Sequence, residues 1–344
     1  MIKVLHIVGA RPQFIKLYPL HLEMKERGFE QKILHTGQHF DKNMSDVFFE
    51  EMGIPQPDFN LNIHSLSHGA MTGRMIEGIE KVLLKETFNY IILYGDTNST
   101  AAGAIASKKL KIKVIHVEAG LRNFDNEMPE ELNRLITDRI SDLLFCPTKH
   151  CVNNLNTENA SNVYNTGDLM YDSIKIFKDK LKPPTNPYIL FTCHRAENTN
   201  EKTLTEIIKT LNIISEDIDI IFPTHPRTKN ILDKLDLKIN FKCIPPASYL
   251  EFLQLLNGSK YLITDSGGAV KEAYFLNKPS ILLLDKPVWP ELIEAGVCYN
   301  CKSNKEDILN SFNKIKEKEI TFSEDIFGDG NSRKYMCDII ESYE

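Results

Sequence analysis

The sequence of 344 residues has no long apolar run, and runs such as Tyr90–Tyr94 and Ile281–Leu284 have only the length of a β-strand. A helix that crosses a bilayer needs about 20 mostly apolar residues. The N-terminus, Met1–Val8, leads straight into a glycine turn and lacks the apolar core and cleavage site of a signal peptide. We therefore predict a cytoplasmic protein with no membrane partner.

Cysteine pairs with the spacing of a metal site are also scarce. The seven cysteines are an odd number, spread from Cys146 to Cys337, which favours reduced thiols over a disulfide framework. Cys298–Cys301 is the only C-x-x-C sequence, and a zinc ribbon needs a second pair at compatible spacing. The sequence thus predicts no metal site.

Positive charge is in the minority, since 41 Lys and Arg stand against 47 Asp and Glu, giving a formal net charge of −6. Binding to nucleic acid depends mainly on phosphate neutralisation, so this balance argues against a nucleic-acid partner. It leaves room for a local cationic pocket that holds one small anion. The length and the 42% of hydrophobic residues are typical of a folded chain with two domains.

Short apolar runs alternate with longer amphipathic segments in the first half of the chain. The predicted strands are Lys3–Val8, Lys32–His35, Tyr90–Tyr94, Val114–Val117 and Leu143–Cys146. The predicted helices are Pro12–Glu26, Asn43–Met52, Gly69–Glu86, Thr97–Leu110 and Glu130–Ser141. This order is typical of a doubly wound parallel sheet, which binds ligands at the carboxyl ends of its strands.

Three prolines interrupt the alternation at Lys182–Pro187, after a charged helical segment at Tyr171–Leu181, and predict a domain boundary. The alternation then resumes. The later predicted strands are Tyr188–Thr192, Ile218–Phe222, Tyr261–Thr264 and Ser280–Leu284, and the helices are Thr203–Ser215, Tyr249–Leu256 and Gly267–Leu276. We predict two α/β domains, at residues 1–170 and 186–325.

The first strand-to-helix turn, Gly9–Lys16, carries two cations, Arg11 and Lys16. It contains one glycine and lacks the G-x-G-x-x-G fingerprint, so we predict no NAD cofactor. A helix N-terminus with an arginine beside it is favourable for phosphate. The alternative is a surface arginine beside an ordinary turn.

A second turn of this kind occurs in Thr264–Glu272. Ser266 can cap the helix, and Gly267 and Gly268 let backbone N–H groups approach a phosphate. Glu272, one helical turn later, can accept hydrogen bonds from a ribose. The pattern is typical of half a nucleoside-diphosphate site, and a plain capped helix is the alternative.

Carboxylates follow two predicted strands at Asp96 and Glu118, and Glu130 opens a predicted helix. Acids at the carboxyl ends of parallel strands point toward the ligand, and acids in different environments can divide general-acid and general-base duties. The alternative for each is a helix cap or an exposed ion-pair partner. We adopt that alternative for Glu131, which lies in a first helical turn.

Two histidines, His194 and His225, lie at or just after predicted strand ends, and an arginine follows each closely. This pattern is typical of anion binding, because metal ligation needs more convergent ligands. We predict structural roles for the other eight histidines, with His39 and His116 the strongest exceptions.

With these residues assembled, the sequence resembles the non-hydrolysing UDP-N-acetylglucosamine 2-epimerases nearly from end to end. The matching segments are Gly9–Lys16, Thr36–His39, Gly95–Thr97, Val117–Arg122, Pro129–Arg134, His194–Arg195, Thr264–Glu272 and Phe327–Gly330. That family is similar in fold to GT-B glycosyltransferases. The resemblance implies two Rossmann-like domains with the active site in the cleft between them, a C-terminal helix at residues 326–344 that crosses back to the first domain, and a homodimer without a cofactor.

The resemblance also implies an isomerase that eliminates UDP across C1–C2 of the sugar, giving a 2-acetamidoglucal, and adds it back to the opposite face of C2. Such an enzyme makes a precursor for surface polysaccharide. The implied acid–base groups are Asp96, Glu118 and Glu130, assisted by His194. The implied UDP-sugar ligands are Arg11, Lys16, His225, Ser266, Gly267, Gly268 and, at the ribose, Glu272.

Departures from the family pattern narrow these expectations. Phe40, Asp41 and Ala196 stand where members activated by their own substrate carry Arg, Gln and Arg, so we expect no such activation. Leu284–Glu291 lacks the Arg, Thr and Glu that the N-acetylglucosamine enzymes commonly show. The His194–Asn198 segment instead resembles the branch that acts on UDP-2,3-diacetamido-2,3-dideoxyglucuronate, and both sugars stay open.

The main alternative function is a GT-B glycosyltransferase that uses a UDP-sugar donor, needs an acceptor and releases UDP. A nucleotide-sugar sensor without turnover and a hydrolysing epimerase are further alternatives. The three carboxylates favour the non-hydrolysing epimerase, since a transferase or a sensor has no need of them at these strand ends.

Overall fold

A computed structural model describes residues 1–38, 51–182, 184, 186–235, 237–322 and 326–343, leaving aside the side chain of Arg227. The chain divides into two compact units. Unit 1 comprises Met1–Ile176 together with Glu324–Glu344, and unit 2 comprises Phe177–Ser323. His39, Phe40, Asp41 and most of the predicted helix Asn43–Met52 lie outside the described residues.

Unit 1 contains a parallel sheet of seven strands in the order β3-β2-β1-β4-β5-β6-β7. The strands are β1 (Lys3–Val8), β2 (Glu30–His35), β3 (Phe59–Asn60), β4 (Tyr90–Tyr94), β5 (Lys113–Val117), β6 (Leu143–Cys146) and β7 (Val163–Asn165). The central strands are almost fully buried because helices cover both faces, which explains their continuous apolar sequences.

Helices of unit 1 connect successive strands, as the sequence predicts. They are α1 (Arg11–Glu26), α2 (His68–Leu83), α3 (Asn98–Lys109), α4 (Pro129–Ile140), α5 (Lys149–Thr157) and α6 (Leu169–Lys178). Helix α3 is rich in alanine and contains one glycine, Gly103, which lies so close to Leu93 of β4 that a Cβ there would be 2.6 Å from it. Small residues therefore let this helix approach the sheet closely.

Unit 2 contains a parallel sheet of six strands in the order β10-β9-β8-β11-β12-β13. The strands are β8 (Tyr188–Thr192), β9 (Asp219–Pro223), β10 (Lys242–Ile244), β11 (Tyr261–Thr264), β12 (Ser280–Leu283) and β13 (Cys298–Cys301). Apart from β7, this order repeats that of unit 1. The predicted α/β class with two doubly wound parallel sheets is confirmed.

The helices of unit 2 are α7 (Ala196–Thr199), α8 (Glu201–Ile214), α9 (Pro226–Leu235), α10 (Tyr249–Gly258), α11 (Gly267–Phe275), α12 (Pro290–Glu294) and α13 (Lys305–Glu317). Apolar side chains of α8 and α13, including Leu204, Ile208 and Phe312, form one core cluster with Phe191 of β8. Amphipathic helices thus bury their apolar faces on the sheet.

The sole C-x-x-C sequence forms the edge strand β13, and both of its thiols are buried. Burial raises the pKa of Cys298 to about 12 and that of Cys301 to about 11, so both stay protonated at neutral pH. The seven cysteines are all free. These facts support a packing role for the pair.

The C-terminal helix, α14 (Ser332–Ser342), belongs to unit 1 and packs against α1. Arg27, at the end of α1, donates from Nη1 to Asp338 at 2.6 Å and to Glu341 at 2.9 Å. Asp172 of α6 accepts hydrogen bonds from the first backbone N–H groups of α14, at Ser332 and Arg333. Burial raises the pKa of Asp172 to about 6, against the effect of these bonds.

Both sheets reverse their strand order at one position, between β1 and β4 in unit 1 and between β8 and β11 in unit 2. At such a switch point the loops that leave two neighbouring strands run in opposite directions and open a crevice at the carboxyl ends. The β1–β4 and β8–β11 switch points are where the sequence places the candidate site residues.

Candidate functional site

Gln13 fastens the turn after β1 to the turn after β4. Its Oε1 accepts hydrogen bonds from the backbone N–H of Gly9 at 2.7 Å and of Ala10 at 2.9 Å. Its Nε2 donates to the carbonyl of Tyr94 at 2.7 Å and to Thr97 Oγ1 at 3.0 Å. These two backbone N–H groups are therefore hydrogen-bonded within the protein and are not available to an anion. The role of Gln13 could not be read from the sequence.

Lys16 and Glu118 form an ion pair across this switch point, with side chains only 5% and 13% exposed. Glu118 follows β5 and has a φ of +71°, a left-handed conformation that is costly for a residue with a Cβ. Gly95 passes beside the pair, and a Cβ there would lie 3.2 Å from Glu118 Oε2. The strained backbone and the cation together fix the position of this carboxylate.

Asp96 is held by an arginine that is itself held by a second acid. Arg134 donates to Asp96 Oδ2 from Nε at 2.9 Å and from Nη2 at 2.5 Å, and from Nη1 to Glu131 at 2.8 Å. Glu131 is buried and also accepts from the backbone N–H groups of Asn123 and Phe124. The sequence predicts a helix cap or an exposed ion-pair partner for Glu131: the ion pair is present, but the residue is buried rather than exposed.

A buried network of hydrogen bonds holds the turns at Gly95 and Gly120. His116 contacts the Gly95 carbonyl through Nε2 at 2.7 Å and Asp138 through Nδ1 at 2.6 Å. Asp138 also accepts from the Gly120 N–H and from Arg122, and His116 and Arg122 lower its pKa against the effect of burial. The network thus holds the Gly95 and Gly120 turns in position relative to each other.

Glu130 is the second residue of α4 and is exposed. It follows Pro129 in a first helical turn, where the helix dipole favours negative charge. The structure brings Lys16 and Glu118 into contact and places Asp96 in the turn beside them, at Gly95–Asp96. Glu130 lies on the helix that supplies Arg134 to Asp96.

In unit 2 the buried Asp265, directly after β11, organises the segment after β8. Its Oδ2 accepts from the backbone N–H of His194 at 2.9 Å and of Arg195 at 2.8 Å. Its Oδ1 lies 3.4 Å from Nδ1 of His194, whose side chain is 50% exposed. The carboxylate thus fixes where His194 leaves the sheet.

Ser266 caps α11, and its Oγ accepts from the N–H of Ala269 at 3.3 Å. Gly267 and Gly268 begin the helix, where backbone N–H groups have no carbonyl one turn earlier. A Cβ at Gly268 would meet nothing nearer than Ser266 Oγ at 3.8 Å, so the space beside this turn is open. Such a turn is suited to a phosphate.

The segment after β12 packs on the other side of this turn. Trp289 donates from Nε1 to the Gly267 carbonyl at 3.1 Å, and a Cβ at Gly267 would lie 3.0 Å from Val288. The ammonium of Lys271, a nearly buried side chain, lies 4.3 Å from the centre of the Trp289 ring. The unusual Leu284–Glu291 sequence thus supports the backbone of the Ser266–Gly268 turn.

The remaining predicted ligands are spread over the two switch-point edges. Glu272 is buried on α11, His225 is exposed just before α9, and Arg11 is half-buried at the start of α1. Ala196 begins the short helix α7. Arg11 and Lys16 belong to unit 1, whereas His194, His225 and the Ser266–Glu272 residues belong to unit 2.

No group of three or more His, Cys, Asp or Glu side chains within the described ranges is arranged to hold a metal ion. None of the helices in those ranges is long and apolar enough to cross a membrane. The side chains described above are carboxylates, imidazole and cations, and together with the backbone amides of the turns they suit proton transfer and the binding of an anionic group.

Comparisons with known proteins give a consistent result. The family model of UDP-N-acetylglucosamine 2-epimerase matches residues 22–341. A UDP-N-acetylglucosamine 2-epimerase homolog of Methanococcus maripaludis is 47% identical over 99% of this chain and 99% of its own length. UDP-2,3-diacetamido-2,3-dideoxy-D-glucuronate 2-epimerase of Pseudomonas aeruginosa is 42% identical over 98% of this chain and 99% of its own.

The structural comparison agrees with the sequence comparison. The crystal structure of the Methanocaldococcus jannaschii UDP-GlcNAc 2-epimerase, in complex with UDP-GlcNAc and UDP, superposes with a TM-score of 0.88. It is 39% identical and the match covers 99% of this chain and 100% of that one. The predicted GT-B-like fold is confirmed.

Proposed function

The chain belongs to the UDP-N-acetylglucosamine 2-epimerase family and is an isomerase, and from this premise we propose that it inverts C2 of a UDP-2-acetamido sugar. The single observation that carries the proposal is the set of three carboxylates in unit 1, with Asp96 and Glu118 beside the β1–β4 switch point and Glu130 on the helix that holds Asp96. Each has a different partner: Lys16 for Glu118, Arg134 for Asp96, and solvent for the exposed Glu130.

The reaction needs this division of roles. The proton on C2 is not acidic, so its removal must accompany departure of the anionic UDP from C1, which leaves a 2-acetamidoglucal. Return of UDP to C1 and of a proton to the opposite face of C2 completes the inversion. Two proton-transfer groups on opposite faces of the sugar and a site for the leaving diphosphate are therefore required.

We assign the proton transfers to unit 1. Asp96 and Glu118 are carboxylates held in fixed positions by Arg134 and Lys16, and we assign the acceptance of the C2 proton to this pair. Glu130 has solvent access and can exchange its proton with water between turnovers. The ion pairs also hold both carboxylates in place, so little reorganisation is needed during the reaction.

We assign the UDP group mainly to unit 2. The open first turn of α11, with Ser266, Gly267 and Gly268, would hold a phosphate, and the buried Glu272 one turn later would accept from the ribose. His225 and Arg11 would add positive charge at the diphosphate, and Lys16 would add a cation beside Glu118. His194 would act near the reacting sugar and the leaving group.

The test is incubation with UDP-N-acetylglucosamine, and separately with the diacetamido uronate, in deuterated water. We expect deuterium at C2 and both C2 epimers with at least one of the two sugars, without added acceptor and without net release of UDP. The same mixtures with Asp96→Asn serve as the matched control. Absence of C2 exchange with both sugars would refute the proposal.

The product pattern separates the remaining alternatives. A glycosyltransferase, which the family comparison does not favour, would consume the sugar only when an acceptor is present. A hydrolysing epimerase would accumulate free UDP and free amino sugar. We expect the rate to rise hyperbolically with substrate concentration, without substrate activation, because Ala196 stands where substrate-activated members carry an arginine.

We also propose that the enzyme is a cytoplasmic homodimer that feeds surface polysaccharide synthesis. The seven free cysteines fit a reducing compartment. Leu132 and Leu135 lie on one face of α4 and are 56% and 36% exposed, which suits burial against a second copy. Sedimentation of the wild type and of Leu132→Asp tests this, since the variant should sediment as a monomer and a monomeric wild type would contradict it.

A further inference from the structure

We infer that Asp265 is the residue that positions His194, by fixing both its backbone and the tautomer of its imidazole. The inference rests on the proposed function, which places His194 near the leaving diphosphate. Asp265 lies between the strand end that carries His194 and the Ser266–Gly268 turn, within the same unit.

The backbone contact is direct. Asp265 is fully buried, and its Oδ2 accepts two hydrogen bonds, from the N–H of His194 at 2.9 Å and of Arg195 at 2.8 Å. Asn198 adds a longer contact to the same oxygen at 3.4 Å. These bonds determine the direction in which the chain leaves β8.

The second oxygen faces the imidazole. Oδ1 is buried, no N–H or O–H group of the described residues donates to it, and Nδ1 of His194 lies 3.4 Å away. An unsatisfied buried carboxylate oxygen is costly, so a proton on Nδ1, which a small rotation of the exposed ring would bring into line with Oδ1, is favoured. With Nδ1 protonated, Nε2 of the neutral ring is free to accept a proton on the exposed side.

The other charged groups nearby do not compete for this role. Burial and then the charge of Asp265, with a hydrogen bond to it, raise the pKa of the Cys193 thiol, which therefore stays neutral. The Arg195 guanidinium lies 3.7 Å from Glu197. Asp265 is accordingly the anion that lies against the ring of His194.

The arrangement suits a reaction in which a diphosphate leaves. When Nε2 carries a proton the ring is a cation, and its charge is balanced by Asp265 on the buried side and by the departing diphosphate on the exposed side. Asp265 does not itself gain a proton in this scheme. It holds the ring in one orientation and stabilises its charged form.

The test is Asp265→Asn, assayed for C2 epimerisation. The amide oxygen of Asn can still accept both backbone N–H groups, but its NH2 group then faces Nδ1 and donates to it, which forces the proton onto Nε2. We expect kcat to fall about 100-fold, the scale of one acid–base group, with KM changed less than about twofold. The melting temperature should stay close to that of the wild type.

A spectroscopic measurement separates positioning from a merely structural role. Protein with 15N-labelled histidine reports the tautomer of His194, assigned by loss of its signals in His194→Gln. We expect a proton on Nδ1 in the wild type and on Nε2 in Asp265→Asn. A wild-type tautomer with the proton on Nε2 would overturn the inference even if the Asn variant fails to fold.

Ser303→Ala is the matched control. Ser303 donates to Asn198 Oδ1 at 2.6 Å, and Asn198 contacts only the Oδ2 side of Asp265, so the substitution loosens the network away from His194. It should lower the melting temperature while kcat stays within about twofold of wild type. An Asp265→Asn enzyme with kcat within about threefold of wild type would refute the inference.

Failure of the proposed function has a different signature. Wild-type protein that exchanges no deuterium into either sugar contradicts the epimerase proposal, whatever the variants do. In that case the tautomer measurement alone decides whether Asp265 controls His194. An active wild type with an unchanged tautomer in Asp265→Asn would contradict the inference and leave the epimerase intact.

Discussion

Units 1 and 2 share a strand order but not the chemistry at the point where that order reverses. In unit 1 the switch point holds side-chain ion pairs, such as Lys16–Glu118 and Arg134–Asp96. In unit 2 the buried Asp265 instead accepts from backbone N–H groups, beside a serine–glycine turn. Topology determines where a ligand binds, and local side chains determine what the edge can do with it.

The two glycine turns show the same contrast. A Cβ at Gly9 would overlap the side chains of Thr36 and Ser99, and the Gly9 N–H is bonded to Gln13. Gly268 has open space beside it. One turn is therefore a packed junction between strands, whereas the other leaves its first-turn amides accessible to an anion.

The largest effect is expected from a substitution that breaks the ion-pair network of unit 1. Asp138→Asn removes the negative charge buried between Arg122 and His116 and should lower the free energy of unfolding by about 3–5 kcal/mol. Urea unfolding measures the loss. Asp265→Asn is the comparison in unit 2, where the retained acceptor should keep the loss to about 1 kcal/mol. Equal losses would remove the contrast between the units.

A second prediction concerns catalysis in unit 1. Asp96→Asn should fold normally but lose at least about 100-fold in kcat, because one acid–base group contributes roughly that much. Steady-state epimerisation measures it. Glu77→Gln is a suitable control, since Glu77 is exposed and pairs only with Arg74 and Lys81 on its own helix. Wild-type turnover by Asp96→Asn would exclude Asp96 from the mechanism.

A third prediction uses pH to weaken unit 1 alone. Burial lowers the pKa of His6 to about 3, and its ring contacts Tyr94 and Gln31. The corresponding strand of unit 2, Tyr188–Thr192, has no histidine. In the unfolded chain His6 has an ordinary pKa of about 6.5 and takes up a proton as the pH falls below that value. In the folded protein the buried ring stays neutral, so the free energy of unfolding decreases.

This loss should reach about 2 kcal/mol between pH 7 and pH 5, at roughly 1.4 kcal/mol per pH unit. His6→Gln lacks the titrating group. The difference in free energy of unfolding between this variant and the wild type should therefore change by that amount over the same pH range. Urea unfolding at the two pH values gives both numbers. A difference between the two proteins that does not change with pH would contradict the prediction.

The smallest effect separates the two glycines of the unit 2 turn. Gly267→Ala places a Cβ 3.0 Å from Val288 and should destabilise the protein by about 1 kcal/mol. Gly268→Ala enters open space, so stability should be unchanged or slightly increased, since alanine favours a helix. KM should rise for Gly268→Ala if phosphate occupies that space. Thermal unfolding and steady-state kinetics measure the two effects. An unchanged KM for Gly268→Ala would argue against phosphate binding beside Gly268.

The sequence predicts the central strands and most helices because buried parallel strands are continuous apolar runs. It does not reveal the edge strands, such as Phe59–Asn60 and Val163–Asn165, since short half-exposed segments have no such pattern. The helix Lys305–Glu317 is a different case, since Ile308, Phe312 and Ile315 recur at helical spacing and make it readable from the sequence, although it is absent from the prediction.

At the site, the residue types at strand ends point to Asp96, Glu118 and His194 as candidates. Their partners were not predictable, because Arg134 and Asp265 are close to them only in the folded chain. For Glu131 the sequence favours a helix cap or an exposed ion-pair partner, since a first-turn acid has an ordinary explanation there. Only its burial beside Arg134 shows that it anchors the neighbouring carboxylate.

The return of the C-terminal helix to unit 1 has a consequence for synthesis. Arg27 pairs with Asp338 and Glu341, which lie 311 and 314 residues later in the chain. Unit 2 is thus an insertion whose residues all leave the ribosome before unit 1 is complete. Synthesis of unit 1 therefore begins first and ends last. A ribosome that stalls within the final helix leaves uncovered the surface of α1 around Arg27.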